Sequence, residues 1–585
     1  MATESFFSNA SLAYLASAGA GKDGKTYSIK PTDGSGDFTF SRGSNLAATR
    51  VGPTGLIEKG RENLLLQSNN FDTTWGNYGI TQTSGQSGYD GSSDAWESSF
   101  TAGTKFFGQT ISQIGVITIS IYVKAGNHDF IQFVTSTSTT AYVNFDISSS
   151  SAAVGTEGSG VINSSITSVG SDWYRCSMSF NNTSSGTIYV WMIDSATSSR
   201  ASDVSTAGNI LIQDAQLEIG LAATEVITTG ATTGKAGLLE DEPRFDYSGG
   251  ATCPSLLLEP SRTNLLGQSE YFDGYYAKFA TGITYDTNTS ETTSPEGLYN
   301  ATKLISSTNN EQQAIYKGYV ISTPTLTCYA KAGEFDTFTL KLSGSASCNF
   351  TLTGSGSTGY NTNLLAKSIE PVGNGWYRCS ISTTANSVYA WIAITGGNLQ
   401  GDGTSGIYIY GAQLEQGSYP TSYIPNHSGG SVTRGAEGQT YSGFSSLIGQ
   451  AEGTLFLDID GHSPNGTELF SLNRSTTNAI FLDANNDVYR IILYADSVSS
   501  TTFTSVANTD RIKIAIAYQS NNFAIYANGL QVATNNTWTW TPNIIIDTLN
   551  FSVGGYVNSK NSSKFNQVVL FKERLSNADL ETLTT

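Results

Sequence analysis

An all-β protein made of several β-sandwiches is what this sequence predicts, and three observations carry the prediction. Charged residues fill only 13% of the 585 positions, against roughly 25% in an average soluble domain. Ser, Thr, Asn and Gly take their place, together with 30 Tyr and 27 Phe, a mixture that suits polar-faced sheets joined by many turns. Apolar and polar residues alternate along the most legible stretches, which is the period of a strand. The chain is also too long for one hydrophobic core, so three or four domains are expected. A hydrophobic content of 38% is enough for packed cores, so the chain is not read as disordered.

Residues 1–60 read as a small irregular segment, rich in Gly and Ser and separate from the rest of the chain. The start, MATESFFSNASLAYLASAGAG, has no basic region ahead of its interrupted apolar run, so no secretory signal is expected. No stretch approaches the ~20 apolar residues that span a bilayer, so membrane insertion is not expected either. Leu12, Tyr14, Leu15 and Ala16 are placed on a short helix with Gly19 just past its end.

Residues 61–225 and 263–426 read as two copies of one module. Asn63-Leu-Leu-Leu-Gln-Ser68 returns as Asn264-Leu-Leu-Gly-Gln-Ser269, and Tyr122-Val-Lys-Ala-Gly126 as Tyr329-Ala-Lys-Ala-Gly333. Trp173-Tyr-Arg-Cys-Ser177 returns as Trp376-Tyr-Arg-Cys-Ser380, Trp191 as Trp391, and Ala215-Gln-Leu-Glu218 as Ala412-Gln-Leu-Glu415. Order is kept while the offset drifts only between 197 and 207 residues, too long a period for a solenoid.

Within each copy, Tyr174, Cys176 and Met178 alternate with Trp173, Arg175 and Ser177, and Ile188–Ile193 alternates in the same way. Paired as an antiparallel hairpin, Met178 faces Ile188, Cys176 faces Val190, and Arg175 falls opposite Trp191. The apolar pattern fixes that register, because a one-residue slip would mix the faces. The cysteine is then a small core hydrophobe. The opposite face gathers Trp173, Arg175, Tyr189 and Trp191 in the first copy and Trp376, Arg378, Tyr389 and Trp391 in the second. These eight are the candidate ligand-binding residues. Aromatic rings stack on sugars and Arg bonds hydroxyls or carboxylates, but the same face could pack within the chain or between subunits, where Trp, Tyr and Arg are the usual anchors.

Residues 226–262 form a connector, with prolines at 243, 254 and 260. From 427 to 585 the chain reads as a third sandwich of different pattern. Gly453–Asp460, Arg511–Gln519, Phe523–Ala533 and Phe565–Phe571 read as strands, and Asn528-Gly529 signals a type I′ hairpin. Ser576 and Asp579 mark the start of a short C-terminal helix.

The chemistry classes narrow quickly. A formal net charge of −18 repels phosphate backbones, so no nucleic-acid partner is expected. Cys176, Cys253, Cys328, Cys348 and Cys379 show no CxxC spacing, which leaves neither a zinc site nor a disulfide framework. A cysteine nucleophile needs a base, and His128, His427 and His462 do not match between the copies. Asp458 and Asp460 lie i, i+2 on one strand, but carboxylate pairs of this kind arise by chance among 48 acidic residues, and a site, not a fold, must carry an enzyme claim. No catalytic residue is assigned and the chain is not read as an enzyme. The one cofactor left open is a structural calcium ion near Asp90 and Asp94, with Glu296 matching in the second copy. No full ligand set is visible, so no metal site is assigned.

The words RTNLLGQSEYF, YAKAG, GNGWYRCS and YIYGAQLEQGSYPTSYIPN resemble a module of bacteriophage virion proteins, the fibre, spike and tail proteins with carbohydrate-binding-like jelly rolls. The first copy matches less well, lacking the YPTSYIP portion. Residues 427–585 resemble concanavalin A-like, laminin-G-like lectin domains through FAIYANGLQVA and LFKERLSNADLETL. The resemblance implies two jelly rolls followed by a concanavalin A-like sandwich, in a head or tail fibre exposed on the virion. It further implies host-surface glycan as target, other virion proteins held through the N-terminal segment, and a homo-oligomer, a trimer being the usual state. A capsid or tail decoration without glycan binding is the alternative, and a polysaccharide depolymerase the third.

Overall fold

The computed structural model describes residues 8–585 apart from 19–20, 23, 44–45, 343–345, 461–466, 473–477, 486–487, 496–498, 508–510, 538–539, 541–544 and 553–562. It is an all-β protein of three sandwiches, two jelly rolls and one concanavalin A-like unit, with every ladder between its named strands antiparallel.

Each jelly roll is a pair of six-stranded sheets. In the first copy one sheet contains Val161–Gly170, Trp173–Asn182, Gly115–Ala125 and Gly208–Ile219 side by side. We call it the tail-side sheet, because the module's own C-terminal tail lies on it. The far sheet contains Tyr142–Asp146, Phe130–Thr135, Gly186–Met192 and Phe106–Ile111. The second copy repeats this. Trp376–Ser382 pairs with Pro324–Ala332 in the tail-side sheet, and Ser387–Leu399 lies between Glu311–Val320 and Thr337–Leu342 in the far sheet.

The expected hairpin is therefore not formed. Trp173–Asn182 takes Gly115–Ala125 as its neighbour, pairing Arg175 with Tyr122 and Cys176 with Ile121, while Gly186–Met192 belongs to the opposite sheet. The chain arches across the sandwich between the two. Alternation fixes which side of a strand is apolar, and two apolar sides meet equally well edge to edge or face to face. The inward set is as expected: Tyr174, Cys176, Met178, Ile188, Val190 and Met192 share one core, and Tyr377, Cys379, Ile381, Ala390 and Ile392 share its counterpart.

The repeated words that flank the modules form a clasp. Asn63 Nδ2 donates to the carbonyls of Ala215 and Ile227 (3.0 and 2.8 Å), and its Oδ1 accepts from the amides of Leu65 and Leu217 (3.1 and 3.0 Å). Asn264 makes the same four bonds, to Ala412 and Ile424 (3.4 and 2.9 Å) and from Leu266 and Leu414 (both 3.1 Å). Gln216 and Gln413 each accept from the tail, from Ile227 N and Ile424 N (both 2.7 Å), and donate to Glu218 and Glu415. The first copy lacks YPTSYIP, yet its tail is held by the same atoms. All six clasp side chains are buried, where an unmet polar group is costly.

The N-terminal segment and the connector are not separate pieces. Leu12–Leu15 is a strand, not a helix, and pairs with residues 567–570; Gly19 lies outside the described residues. Phe38–Ser41 pairs with Gly438–Ser442, and Ser255–Leu258 with residues 563–565. Leu12, Tyr14, Phe38, Phe40, Phe245, Leu256 and Leu258 enter the same core as Ile514, Phe551 and Leu570. The third sandwich is thus discontinuous, and both jelly rolls are inserted into it. Strands of three or four residues have no stability of their own, so the short alternating pieces of 1–60 are stable only as added strands. Elsewhere the reading of this region holds: Asn528 and Gly529 both have positive φ (47° and 78°) as a type I′ turn requires, and the Asp579 amide donates to the Ser576 hydroxyl at the start of helix Asn577–Thr584.

A buried ionic hub joins the parts. Arg244 of the connector binds Glu259 (2.9 Å) and Glu437, Arg434 binds Glu259 (2.9 Å), and Arg42 binds Glu437 (3.3 Å). Beside it Lys59 binds Glu270 (2.8 Å) and Glu296, and Arg61 also binds Glu296.

Candidate functional site

The eight candidate residues point away from the module cores, but the structure does not bring each set of four together. Trp173 and Arg175 lie on the outer face of the tail-side sheet, and Tyr189 and Trp191 on the outer face of the far sheet, with the sandwich between them. The second copy splits in the same way.

The tail-side four are packing residues. Trp173 is 2% exposed and packs against Tyr122 and Ala95, with Val226 of the tail at their edge. Tyr89 stacks on Tyr122 with ring centroids 3.8 Å apart. The Arg175 guanidinium sits over the Tyr122 ring (5.2 Å) and donates to Ser120 Oγ (2.9 Å). Trp376 is 1% exposed, shares a cluster with Ile57, Tyr329, Tyr410 and Tyr423, and donates its indole N–H to Thr293 O (2.8 Å). Arg378 lies over Tyr329 (5.9 Å) and donates to Thr421 O. Each guanidinium thus meets a tyrosine on the neighbouring strand, not the expected tryptophan, and each tryptophan is covered.

The far-sheet four belong to an aromatic row that recurs in both copies. In the first, Phe106 is the direct partner of both Trp191 and Tyr78; the rings stack at 4.4 Å (23°) and 5.0 Å (8°). In the second, Tyr316 is the partner of Trp391 and stacks at 4.8 Å (20°), and Phe279 is tilted against Trp391 at 4.9 Å. These spacings match the ~4.8 Å between strands, so the rings stand face to face across the sheet. Tyr389 is turned 75° from Tyr316 and is 54% exposed; Tyr78 and Phe279 are 57% and 48% exposed. Glycine makes room for the tyrosine in both copies. Gly108 pairs with Tyr189 and Gly318 with Tyr389, and a Cβ on either would come within 2.7 or 3.0 Å of that ring.

Tyr78, Phe106, Phe279 and Tyr316 escaped the sequence reading. A signal for two of them exists: Phe106-x-Gly108 and Tyr316-x-Gly318 are antiparallel complements of Tyr189-x-Trp191 and Tyr389-x-Trp391. It is visible only once the pairing partner is known.

The two rows differ in their cover. In the first copy, residues 194–207 fold over the far sheet. Trp191 Nε1 donates to Ser202 O (2.9 Å), Asn144 donates to Ala196 O and Ser198 O, and Gln132, the partner of Trp191 on the next strand, bonds Asn144 and the Ala201 amide. Gln132 and Asn144 are fully buried. In the second copy, strand Ser387–Leu399 runs on along the sheet and pairs with Glu311 and Gln312. Its row stays open.

The other candidate chemistry is accounted for by structural partners. Asp458 is held by both arms of the Arg511 guanidinium (2.9 and 2.7 Å) and by Asn566. Asp90 and Asp94 both accept from Gln213 Nε2 (3.2 and 2.9 Å); burial, with their charges nearby, pushes the Asp214 carboxyl up to about 6. Glu296 is taken by Lys59 and Arg61. Among the described residues no group of three His, Cys, Asp or Glu side chains is placed to hold a metal ion. Cys176 is buried, which pushes its thiol well up, and His128 bonds Phe130 O (2.9 Å); His462 lies outside the described residues. Among the described residues no helix is long and apolar enough to cross a membrane.

No protein-family profile matches the chain, and no curated protein matches it. Solved structures do. A CBM40 domain of a Ruminococcus gnavus IT-sialidase, bound to α2,3-sialyllactose, is 17% identical over 25% of this chain and 93% of its own, with a TM-score of 0.22. The NanB sialidase of Streptococcus pneumoniae is 16% identical over 25% of this chain and 26% of its own (TM-score 0.21). A botulinum neurotoxin type C structure is 12% identical over 26% of this chain and 39% of its own (TM-score 0.23). The chain thus spans well under half of the sialidase and the toxin structure, and the likeness extends no further than β-sandwich architecture.

Proposed function

We propose that this protein is a non-catalytic glycan-binding protein that contacts its target through an aromatic row on the far sheet of a jelly roll. One observation carries the reading: a row of stacked rings recurs at the same place in both copies, on a face that neither the tail nor the hub covers, while the equally aromatic tail-side faces are buried. Contiguous exposed aromatic surface marks a binding site, and Tyr389 offers ring surface to a sugar at little entropic cost because its row holds it. Weak contacts of this kind gain from repetition if several copies are displayed together.

The resemblance of the repeated words to bacteriophage virion modules supports a place on a head or tail fibre, with host-surface glycan as the target. Attachment to other virion proteins through the N-terminal region and assembly as a homotrimer rest on that resemblance alone.

The test is retention on a host-polysaccharide column by the wild type and by the Tyr389→Ala, Trp391→Ala double variant. Losing about 1.4 kcal/mol or more of contact weakens binding at least tenfold. Unchanged retention would sink the proposal. Release of reducing ends by the wild type would turn it into a depolymerase.

A further inference from the structure

We infer that the second jelly roll alone carries the glycan site and that it takes a carboxylate-bearing sugar, with Lys341 receiving the carboxylate beside Trp391. This rests on the aromatic-row function proposed above and goes on to name the copy and the sugar class.

The two copies present different chemistry at one lattice position. Lys341 is the cross-strand partner of Trp391, as Gln132 is of Trp191. Leu340 and Leu342 on either side of it enter the core, so the lysine points outward on the face that carries Trp391. In the first copy this position is closed: Gln132 is buried beneath residues 194–207, and the Trp191 indole N–H is spent on Ser202. A ligand there would have to displace that loop and its hydrogen bonds. In the second copy the position is half open. Lys341 Nζ has a neutral partner, Gly396 O at 3.3 Å, and no carboxylate pairs with it among the described residues. The Trp391 Nε1–H likewise has no acceptor among the described residues.

A cation and an N–H donor, set beside the exposed ring edges of the row, match a pyranose that carries a carboxylate. The ring packs on the aromatics while the anion meets the ammonium. Burial lowers the Lys341 pKa, the sign of an ammonium that has lost water without gaining a counter-charge, and an incoming carboxylate would supply one. Charge-assisted bonds of this kind are roughly twice as strong as neutral ones. The overall charge of −18 does not forbid this, because charges more than about 8 Å away are screened at physiological ionic strength.

The experiment is a glycan array in which each carboxylated oligosaccharide is printed beside its carboxyl-reduced counterpart, probed with the full chain. The wild type should favour carboxylated members at least tenfold. Lys341→Gln, which places there the residue type of the first copy, should erase that preference, while Lys367→Gln, an equal charge change on the tail-side sheet, should keep it. Equal signal from the reduced partners, or a preference that survives Lys341→Gln, overturns the inference and leaves the aromatic-row function standing. No signal from any glycan, or signal indifferent to Tyr389→Ala with Trp391→Ala, overturns both.

Discussion

At the scale of single residues, WYRCS is a compact record of three different jobs. Its cysteine fills the core, its tryptophan is sealed under the module's own loops and tail, and its serine pairs with a serine on the neighbouring strand, Ser165 with Ser177 and Ser368 with Ser380, both at 2.7 Å. None of these is a reactive role. The five cysteines are all free, and Cys253 alone is exposed. A thiol reagent such as Ellman's should therefore titrate one cysteine per native chain and five after denaturation, since thiolate fraction and access both govern reactivity. Two or more fast thiols in the native protein would contradict the buried placement of Cys176, Cys328, Cys348 and Cys379. Side-chain direction was legible in the sequence because a strand's period of two leaves no choice: Cys in and Trp out are both correct. Company was not legible. Which residues share a face depends on which strands are neighbours, and period-two patterning is blind to that. Arg175 was assigned to Trp191 and lies instead over Tyr122.

At the scale of elements, the flanking words of the repeat proved more informative than its centre. NLLxQS and AQLE look like unremarkable strand ends, yet they supply the asparagine and glutamine that tie each module's first strand, last strand and tail together. Replacing Asn264 by alanine leaves the buried amides of Leu266 and Leu414 and the carbonyl of Ile424 without that partner. At about 1–3 kcal/mol for each buried group left unmet, a local loss of at least ~3 kcal/mol is expected, read as faster hydrogen exchange of the 406–416 strand. Asn63→Ala should do the same to 208–219. If either strand keeps wild-type protection, the clasp is decoration. The aromatic rows were only half legible for a related reason. Tyr189, Trp191, Tyr389 and Trp391 stand out as a repeated Tyr-x-Trp, but their partners Phe106 and Tyr316 differ between the copies, and likeness between copies cannot reveal a position where both are aromatic and neither is the same.

At the scale of the whole molecule, the least legible feature was where the N-terminal segment goes. Its composition is that of a loop and its strands are short, so nothing local announces that Leu12–Leu15 and Phe38–Ser41 complete a sandwich by pairing with strands more than 390 residues away. The ionic hub is equally non-local: Arg42, Arg244, Glu259, Arg434 and Glu437 come from three separate stretches of chain and meet in the interior, each of them buried. That arrangement has a pH signature. Burial alone would raise the Glu259 carboxyl, but Arg434 and Arg244 more than offset it and hold it far below its ordinary value of 4.5. Glu270 is likewise held down, by Lys59 and His427 against its own burial. A carboxyl whose folded pKa is depressed contributes stability that is present above its unfolded value and is lost as pH falls toward the folded one. Melting temperature should therefore hold near neutrality and decline steadily once the pH drops below about 4.5, the ordinary carboxylate value. Glu259→Gln, which leaves two buried guanidinium groups short of a charge, should cost about 3–5 kcal/mol at pH 7. The gap between it and the wild type should narrow on acidification, because below about 4.5 the unfolded wild-type chain takes up a proton that the folded hub refuses, and the glutamine variant has no such proton to take up. A gap that stays constant from pH 7 to pH 3 would mean that Glu259 contributes nothing to acid sensitivity.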